Sequence, residues 1–511
     1  MMSRLQDTRA HFRTGLLRRA THAAALMMLV VFTGACSIQK NPVTGSSRLL
    51  AWNWNQEVQI GREVDVELVA QYGLYDDEET AQYIHDIGKI ILAESHMRRP
   101  ETDRQFRETE FFFRVLDSPV VNAFALPGGY VYVTRGLMVH LNNEAQLAVV
   151  IGHEIGHVAA RHASQRALRQ TLGQIAIIGG AVLGQEFLGL PGEGILNLSS
   201  QAAQLIFLSY SRDAERESDR LGVEYSARAG YVAAEGAAFF TSLKRLSDQA
   251  GHSIPTWMSS HPDPGEREQA IPRMAAEWEE KSFEQTITNE ERYFQMIDGM
   301  LYGDNPREGF VDNGQFVHPD LAFRFPVPQQ WQVINQRNEV ILLSGSQDAV
   351  MILRIDGQAS TARESVQSFI GQEGIQINSQ SETRSSEQYT AYQADVTIPQ
   401  SEGDLRALIY AVEYDGRVYR FINYTTTGKW DGYAGTLRQV PEGFNRLTDR
   451  RILDVQPVRL SVVPAPRADL FRNLLPSSLP MGITPEEVAI VNQVYLDDEI
   501  PAGHKLKFPV Q

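Results

Sequence analysis

The stretch Val149-Val150-Ile151-Gly152-His153-Glu154-Ile155-Gly156-His157-Val158 sets two histidines four residues apart in an otherwise apolar run, with a glutamate directly after the first. On a helix, positions four apart lie one above the other, so both imidazoles face one point. Two neutral ring nitrogens at that spacing suit a tetrahedral zinc ion. Glu154, next to the first histidine, can reach a water polarised by the metal and take its proton as that water attacks a peptide carbonyl. A chance match would leave two histidines and a glutamate on an apolar helix with nothing to offset their desolvation. The residues therefore predict His153 and His157 as metal ligands and Glu154 as general base.

A catalytic zinc needs a third protein ligand and an open fourth position. The best source is Ser209-Tyr210-Ser211-Arg212-Asp213-Ala214-Glu215-Arg216-Glu217-Ser218-Asp219, on a second helix. Glu215 and Asp219 are four apart and share a face. Glu215 could bind the metal while Asp219 accepts a hydrogen bond from a ligand histidine and fixes its tautomer. Glu217 faces away from that pair, although spacing alone does not exclude it. His162, five residues after His157, points elsewhere on a continuous helix and reads as structural.

Working outward, the chain has 511 residues, 43% hydrophobic and 22% charged, a balance of folded protein long enough for two or three domains. Its 47 basic and 63 acidic residues give a net charge of -16. The first 35 residues hold five arginines and one aspartate, a net +4, so the remainder carries near -20. Such a surface repels phosphate backbones and argues against nucleic acid as a partner. The Arg-rich start runs into an apolar stretch over residues 23–32 and then Thr33-Gly34-Ala35-Cys36. That order is a secretory signal over residues 1–36, too short to span a bilayer. The single cysteine excludes an intrachain disulfide. Standing directly after small residues, Cys36 resembles a bacterial lipoprotein cleavage site. That implies lipidation of Cys36, and Ser37 after it implies sorting to the outer membrane of a Gram-negative cell. The alternative is an ordinary signal peptide that leaves a free thiol.

Helical periodicity begins near Trp54 and again near Thr80; residues 111–115 and 129–134 read as strands, and a helix covers 144–166, with further helices to about Glu280. Phe111-Phe112-Phe113 reads as core. Residues 172–190 are Gly-interrupted and nearly uncharged, a buried hairpin or a mobile lid near a membrane or cleft. Beyond residue 300 short strands dominate, and Asp415-Gly416 between two apolar runs predicts a two-residue hairpin. The expected architecture is α+β and multidomain. It comprises a mainly helical zincin-type domain with a small sheet over 37–300, an α+β accessory domain over 315–445 and a small unit over 452–509.

The ordered motifs Asn122-Ala123-Phe124-Ala125-Leu126-Pro127-Gly128-Gly129, Thr134-Arg135-Gly136-Leu137, the His153–His157 helix and Ser211-Arg212-x-x-Glu215-x-x-Ser218-Asp219 resemble the HtpX/BepA-like metallopeptidases, gluzincins related to the CAAX prenyl endopeptidases. The likeness covers about residues 41–275, with Ser218 where the family commonly has Ala. It implies one zinc ion per subunit, Glu215 as third ligand, and an edge strand at Asn122-Ala123 that pairs with substrate backbone. His261-Pro262 is similar to the family's His-Pro element. His261 could then be a fourth ligand or latch over the metal, a donor to the developing oxyanion, or a loop cap. Phe323-Arg324-Phe325-Pro326 with Trp331 is similar to domains of the PsbP type. Residues 452–509 are similar to a LysM module, which implies peptidoglycan as a partner. Here Pro464-Ala465-Pro466-Arg467-Ala468-Asp469 stands where such modules have Gly-Asp-Thr.

The resemblance implies a periplasmic endopeptidase, anchored through Cys36, that acts on misfolded, unfolded or misassembled envelope proteins. Two other readings stand beside it: an assembly chaperone whose peptidase centre is latched by His261, and a hydrolase of peptidoglycan stem peptides.

Overall fold

The computed structural model describes residues 37–170, 209–250, 261, 267–400 and 403–511. The leader with Cys36, the 172–190 stretch and Pro262 lie outside the described residues. The chain is α+β, with a helical first half around a three-stranded sheet and a β-rich second half.

Helix α1 (Trp54–Tyr72) starts at Asn53, whose side chain and that of Gln56 cap each other's backbone N–H. Helix α2 (Glu78–Glu94) follows, capped by Asp77. The small sheet has the order β1 (Phe112–Leu116), β3 (Tyr130–Thr134), β2 (Ala123–Leu126), so β2 lies at an edge. Strands β1 and β3 run parallel and β2 antiparallel to β3. Phe111 and Phe113 are buried in the main core, whereas Phe112 of that run is half-buried and packs against a second cluster.

Helix α3 (Glu144–Ala160) carries the two histidines and is buried along its whole length. Its N-terminus is fixed by Asn143, which accepts from Gln146 N at 2.9 Å, and by Glu144, a carboxylate in the first turn where the helix dipole favours negative charge. Buried Glu144 accepts from Tyr83 (2.9 Å), Tyr231 (2.7 Å) and Asn289 (2.8 Å), so its charge is compensated.

The other end departs from the expected continuous helix to residue 166. The chain turns at Arg161, which adopts the left-handed conformation (φ 61°, ψ 40°), and a new helical stretch runs over 162–170. A non-glycine residue is held there because its side chain is anchored through Nε and one terminal nitrogen. The Arg161 guanidinium donates to Glu57 at 2.9 and 2.6 Å and to Trp52 O at 2.9 Å. Asn41 and Gln165 donate to the freed carbonyl of Ala160.

Helix α4 (Arg212–Arg228), capped by Ser211, packs directly on α3. Glycines allow the close approach. A methyl on Gly152 would meet Gly222 O at 2.9 Å, and one on Gly222 would meet both His153 N and Val149 O at 2.8 Å. Helices α5 (Gly236–Ala250) and α6 (Arg267–Glu280) close the half.

The second half contains a seven-stranded antiparallel sheet with helix Ala362–Ile370 on it. Strands Leu405–Tyr414 and Arg417–Thr426 are joined by Asp415 (φ 49°) and Gly416 (φ 71°), the positive-φ pair of the expected two-residue turn. The C-terminal residues pair Arg459–Pro464 with Lys505–Val510 and carry helix Pro485–Val491. They do not stand apart: Leu460 and Val491 belong to the core of the helical half. Lys507, with 0% exposure, donates to Val139 O and Leu141 O, both at 2.8 Å, at the C-terminal end of the short helix Arg135–His140. No described helix is long and apolar enough to cross a membrane.

Two outcomes test this packing. Gly222→Ala should force α3 and α4 apart and lower stability by on the order of 1–3 kcal/mol in chemical denaturation, because the methyl meets backbone that cannot move aside. His140 is buried beneath the C-terminal residues, and burial pushes its imidazole down from 6.5 to about 4. The unfolded chain therefore binds more protons between those values, and stability falls as pH drops through that window. The slope is at most about 1.4 kcal/mol per pH unit, and His140→Gln should flatten it in thermal melts.

Candidate metal centre

Helix α3 presents His153 and His157 on one face, and α4 presents Glu215 and Asp219 opposite them. Nε2 of His157 lies 2.9 Å from Nε2 of His153. Glu215 faces both, with Oε2 3.6 Å from His153 Nε2 and Oε1 3.4 Å from His157 Nε2. His261 joins them: its Nδ1 is 3.1 Å from Glu215 Oε2 and 3.3 Å from His153 Nε2. One donor atom from each of His153, His157, Glu215 and His261 falls within 4.8 Å of the others, and all four residues are buried.

Glu154 is fully buried beside this cluster, its Oε1 3.6 Å from His261 Nε2. Neither of its oxygens has a hydrogen-bond partner among the described residues. A buried carboxylate with both oxygens unmatched and aimed at a knot of imidazoles is costly in an apoprotein. The four ligand-type groups fit a divalent metal ion, which would keep the imidazoles neutral and Glu215 ionised. His153, His157 and Glu215 would hold it, with Glu154 left to handle a proton.

The surroundings orient each of these groups. His153 Nδ1 lies 2.9 Å from Asp219 Oδ1, the expected outer partner. Arg267, at the start of α6, is buried and donates to Asp219 Oδ2 at 2.7 Å and to Glu215. Tyr210 stacks on His157 with ring centroids 4.1 Å apart. Burial raises the Glu154 carboxyl above its usual range and lowers the His157 imidazole well below its own. Burial also opposes ionisation of Glu215, but facing His261 and His157 hold its carboxyl well below the ordinary value. Burial likewise opposes protonation of His261, and the carboxylates of Glu215 and Glu154 overcome it and raise the imidazole.

The structure thus brings together His153, Glu154, His157, Glu215, Asp219 and His261. It does so without any spacing rule that could have placed His261, 46 residues beyond Glu215, in the cluster. Asn122 and Ala123 lead into edge strand β2, which packs beside α3. Sequence reasoning gave no role to Arg267, whose signal is only its distance of six residues from His261. It also had His162 pointing away from the cluster. His162 Nδ1 is 3.0 Å from His157 Nδ1, because the turn at Arg161 swings it back toward the cluster, and its Nε2 is 3.2 Å from Glu217 Oε2.

Comparison with known proteins agrees with this geometry. The family model described as Peptidase family M48 matches residues 79–275, a span that contains all six of these residues. The mitochondrial metalloendopeptidase OMA1 of Bos taurus is 29% identical over 247 residues, 46% of this chain and 46% of that protein. The beta-barrel assembly-enhancing protease of Escherichia coli is 29% identical over 232 residues, 44% of this chain and 45% of its own. The chain spans about half the length of the curated relatives it matches. Among solved structures, a cyanobacterial PsbP from Synechocystis is 12% identical, covering 27% of this chain and 96% of its own, at a TM-score of 0.23, too low to argue from. Residues 79–275, which hold the buried cluster of imidazoles and carboxylates, match the model of Peptidase family M48.

Proposed function

We propose that this chain is a zinc-dependent metalloendopeptidase that cleaves misfolded or stalled proteins of the bacterial cell envelope. The observation that carries the reading is the convergence of His153, His157 and Glu215 beside the buried, unmatched carboxylate of Glu154. Two imidazoles and one carboxylate are the donor set of a catalytic zinc, one ion per subunit. Bound there, zinc supplies Lewis-acid activation of water and carbonyl. Glu154 takes the proton from the attacking water and passes it to the leaving amine, a task its raised affinity for protons suits. Edge strand β2 offers its outer side to an extended peptide beginning at Asn122 and Ala123, with main-chain pairing as the recognition.

The envelope setting is supported by the likeness to the beta-barrel assembly-enhancing protease and by the leader sequence ending at Cys36. In this reading residues 1–36 are removed and lipid on Cys36 anchors the protein on the periplasmic side of the outer membrane. The peptidase domain spans 37–300, an accessory domain spans 315–445, and a LysM-like unit spans 452–509. The LysM-like unit would add peptidoglycan as a contact.

The position of His261 favours a second reading. With Nδ1 3.1 Å from Glu215 and Nε2 3.6 Å from Glu154, it fills the point where a water or substrate carbonyl would enter. A latched centre would then serve an assembly chaperone until His261 withdraws.

The separating experiment takes a soluble form beginning at Ser37 and measures bound zinc and cleavage of casein, for wild type and Glu154→Gln. About one zinc in both and cleavage only in wild type supports the peptidase. Zinc without cleavage in either supports the latch, and His261→Ala should then restore cleavage. No zinc in either refutes both. In the same assays Glu215→Ala should leave almost no metal after passage over a chelating column. Asp219→Asn should weaken zinc binding by about 10- to 100-fold, because His153 loses its orienting partner.

A further inference from the structure

We infer that His162, itself held by Glu217, is a positioning residue that fixes His157 in the tautomer and ring orientation presenting its Nε2 to the metal ion. The inference rests on the metallopeptidase reading and extends it to residues outside the ligand set.

The hydrogen positions follow from which atoms face the cluster. His157 turns Nε2 toward His153 and Glu215, so that nitrogen must keep its lone pair to bind a metal. A neutral His157 then carries its proton on Nδ1. The atom opposite, 3.0 Å away, is Nδ1 of His162, which must accept. His162 in turn carries its proton on Nε2, and 3.2 Å from Nε2 stands the Glu217 carboxylate, which can only accept. Each donor in this row meets an acceptor, and the row admits one direction. Reversing it would place a proton on His157 Nε2 and face Glu217 with a bare ring nitrogen. Ser218 Oγ lies 3.3 Å from the same His162 nitrogen, farther than His157 Nδ1 at 3.0 Å.

The geometry is enforced rather than incidental. His162 is 2% exposed, and both its nitrogens lie within hydrogen-bonding distance of partners. The left-handed turn at Arg161 brings it back to His157, and that turn is pinned by the buried Glu57 pair. The ring of Tyr210 covers the other side of His157, so the imidazole has little freedom to rotate away. With Asp219 on His153 and Arg267 on Glu215, every proposed ligand has one outer partner. On the side of His157 away from the cluster that neighbour is itself a histidine, His162.

The test compares the full chain with His162→Leu, His162→Asn and Glu217→Leu. Zinc affinity is read by competition with a chelating dye, and the visible spectrum is read after loading with cobalt(II). Asn can place its amide oxygen near the position of the imidazole Nδ1 and keep an acceptor, whereas Leu cannot. Zinc affinity should fall about 10- to 100-fold in His162→Leu, with an altered cobalt spectrum, and by a smaller factor in Glu217→Leu. His162→Asn should recover most of the affinity and the wild-type spectrum. Equal affinity and identical spectra for wild type and His162→Leu would overturn the inference, and so would equal losses in the Leu and Asn variants. Failure of wild type to bind zinc or cobalt would overturn the metalloenzyme reading and this inference with it. Thermal melts of the metal-free proteins show whether any variant has simply failed to fold.

Discussion

The contact on which the rest of the structure depends is the glycine-lined crossing of the two helices that carry the cluster. Gly152 and Gly222 meet where any side chain would collide with backbone. Because the helices can touch there, side chains further along the two helices reach each other directly. Glu215 and Asp219 then stand opposite His153 and His157 at hydrogen-bonding distances. A wider spacing would admit water between these groups and dissolve the cluster into separate solvated charges.

Such a cluster runs against the usual economics of a protein interior. His153, His157, Glu154, Glu215 and Arg267 are all at or below 3% exposure, the first three on a helix otherwise packed with Leu, Ile, Val and Ala. Charges buried this deeply stabilise a fold only when paired, and here the pairing is incomplete at Glu154. The surrounding scaffold compensates. Glu144 at one end of the histidine helix collects three donors, and Arg161 at the other end is locked to Glu57. Both ends of the element are therefore rigid, and its middle can hold groups that would otherwise rotate or pull in water. That is the division of labour expected of a preorganised site on regular secondary structure.

The C-terminal residues serve the same end from further away. Leu460 and Val491 sit in the core that also surrounds the histidine helix. Lys507 places its side-chain nitrogen on two carbonyls at the C-terminal end of the short helix Arg135–His140, where burial drives its proton affinity well down and the carbonyls are its compensation. Gln493 reaches Gln146 in the first turn of the histidine helix. The β-rich half thus frames the helical half through its last strands and helix.

The two histidines, the glutamate between them and the acidic pair on a later helix were legible in the chain, because helical periodicity alone puts residues four apart on one face. The same local rules located two of the three strands of the small sheet and the Asp415-Gly416 turn, whose positive φ angles are a property of those residue types. What periodicity cannot do is report a break in itself. His162 reads as pointing away from the metal on a continuous helix, and only the left-handed turn at Arg161, stabilised by a partner 104 residues earlier, brings it to His157. Arg267 and His261 likewise reach Glu215 across 52 and 46 residues of chain. The sequence by itself determined which residues could bind a metal. The tertiary structure decided which groups pack against those residues, because that depends on long-range pairs whose partners no local spacing specifies.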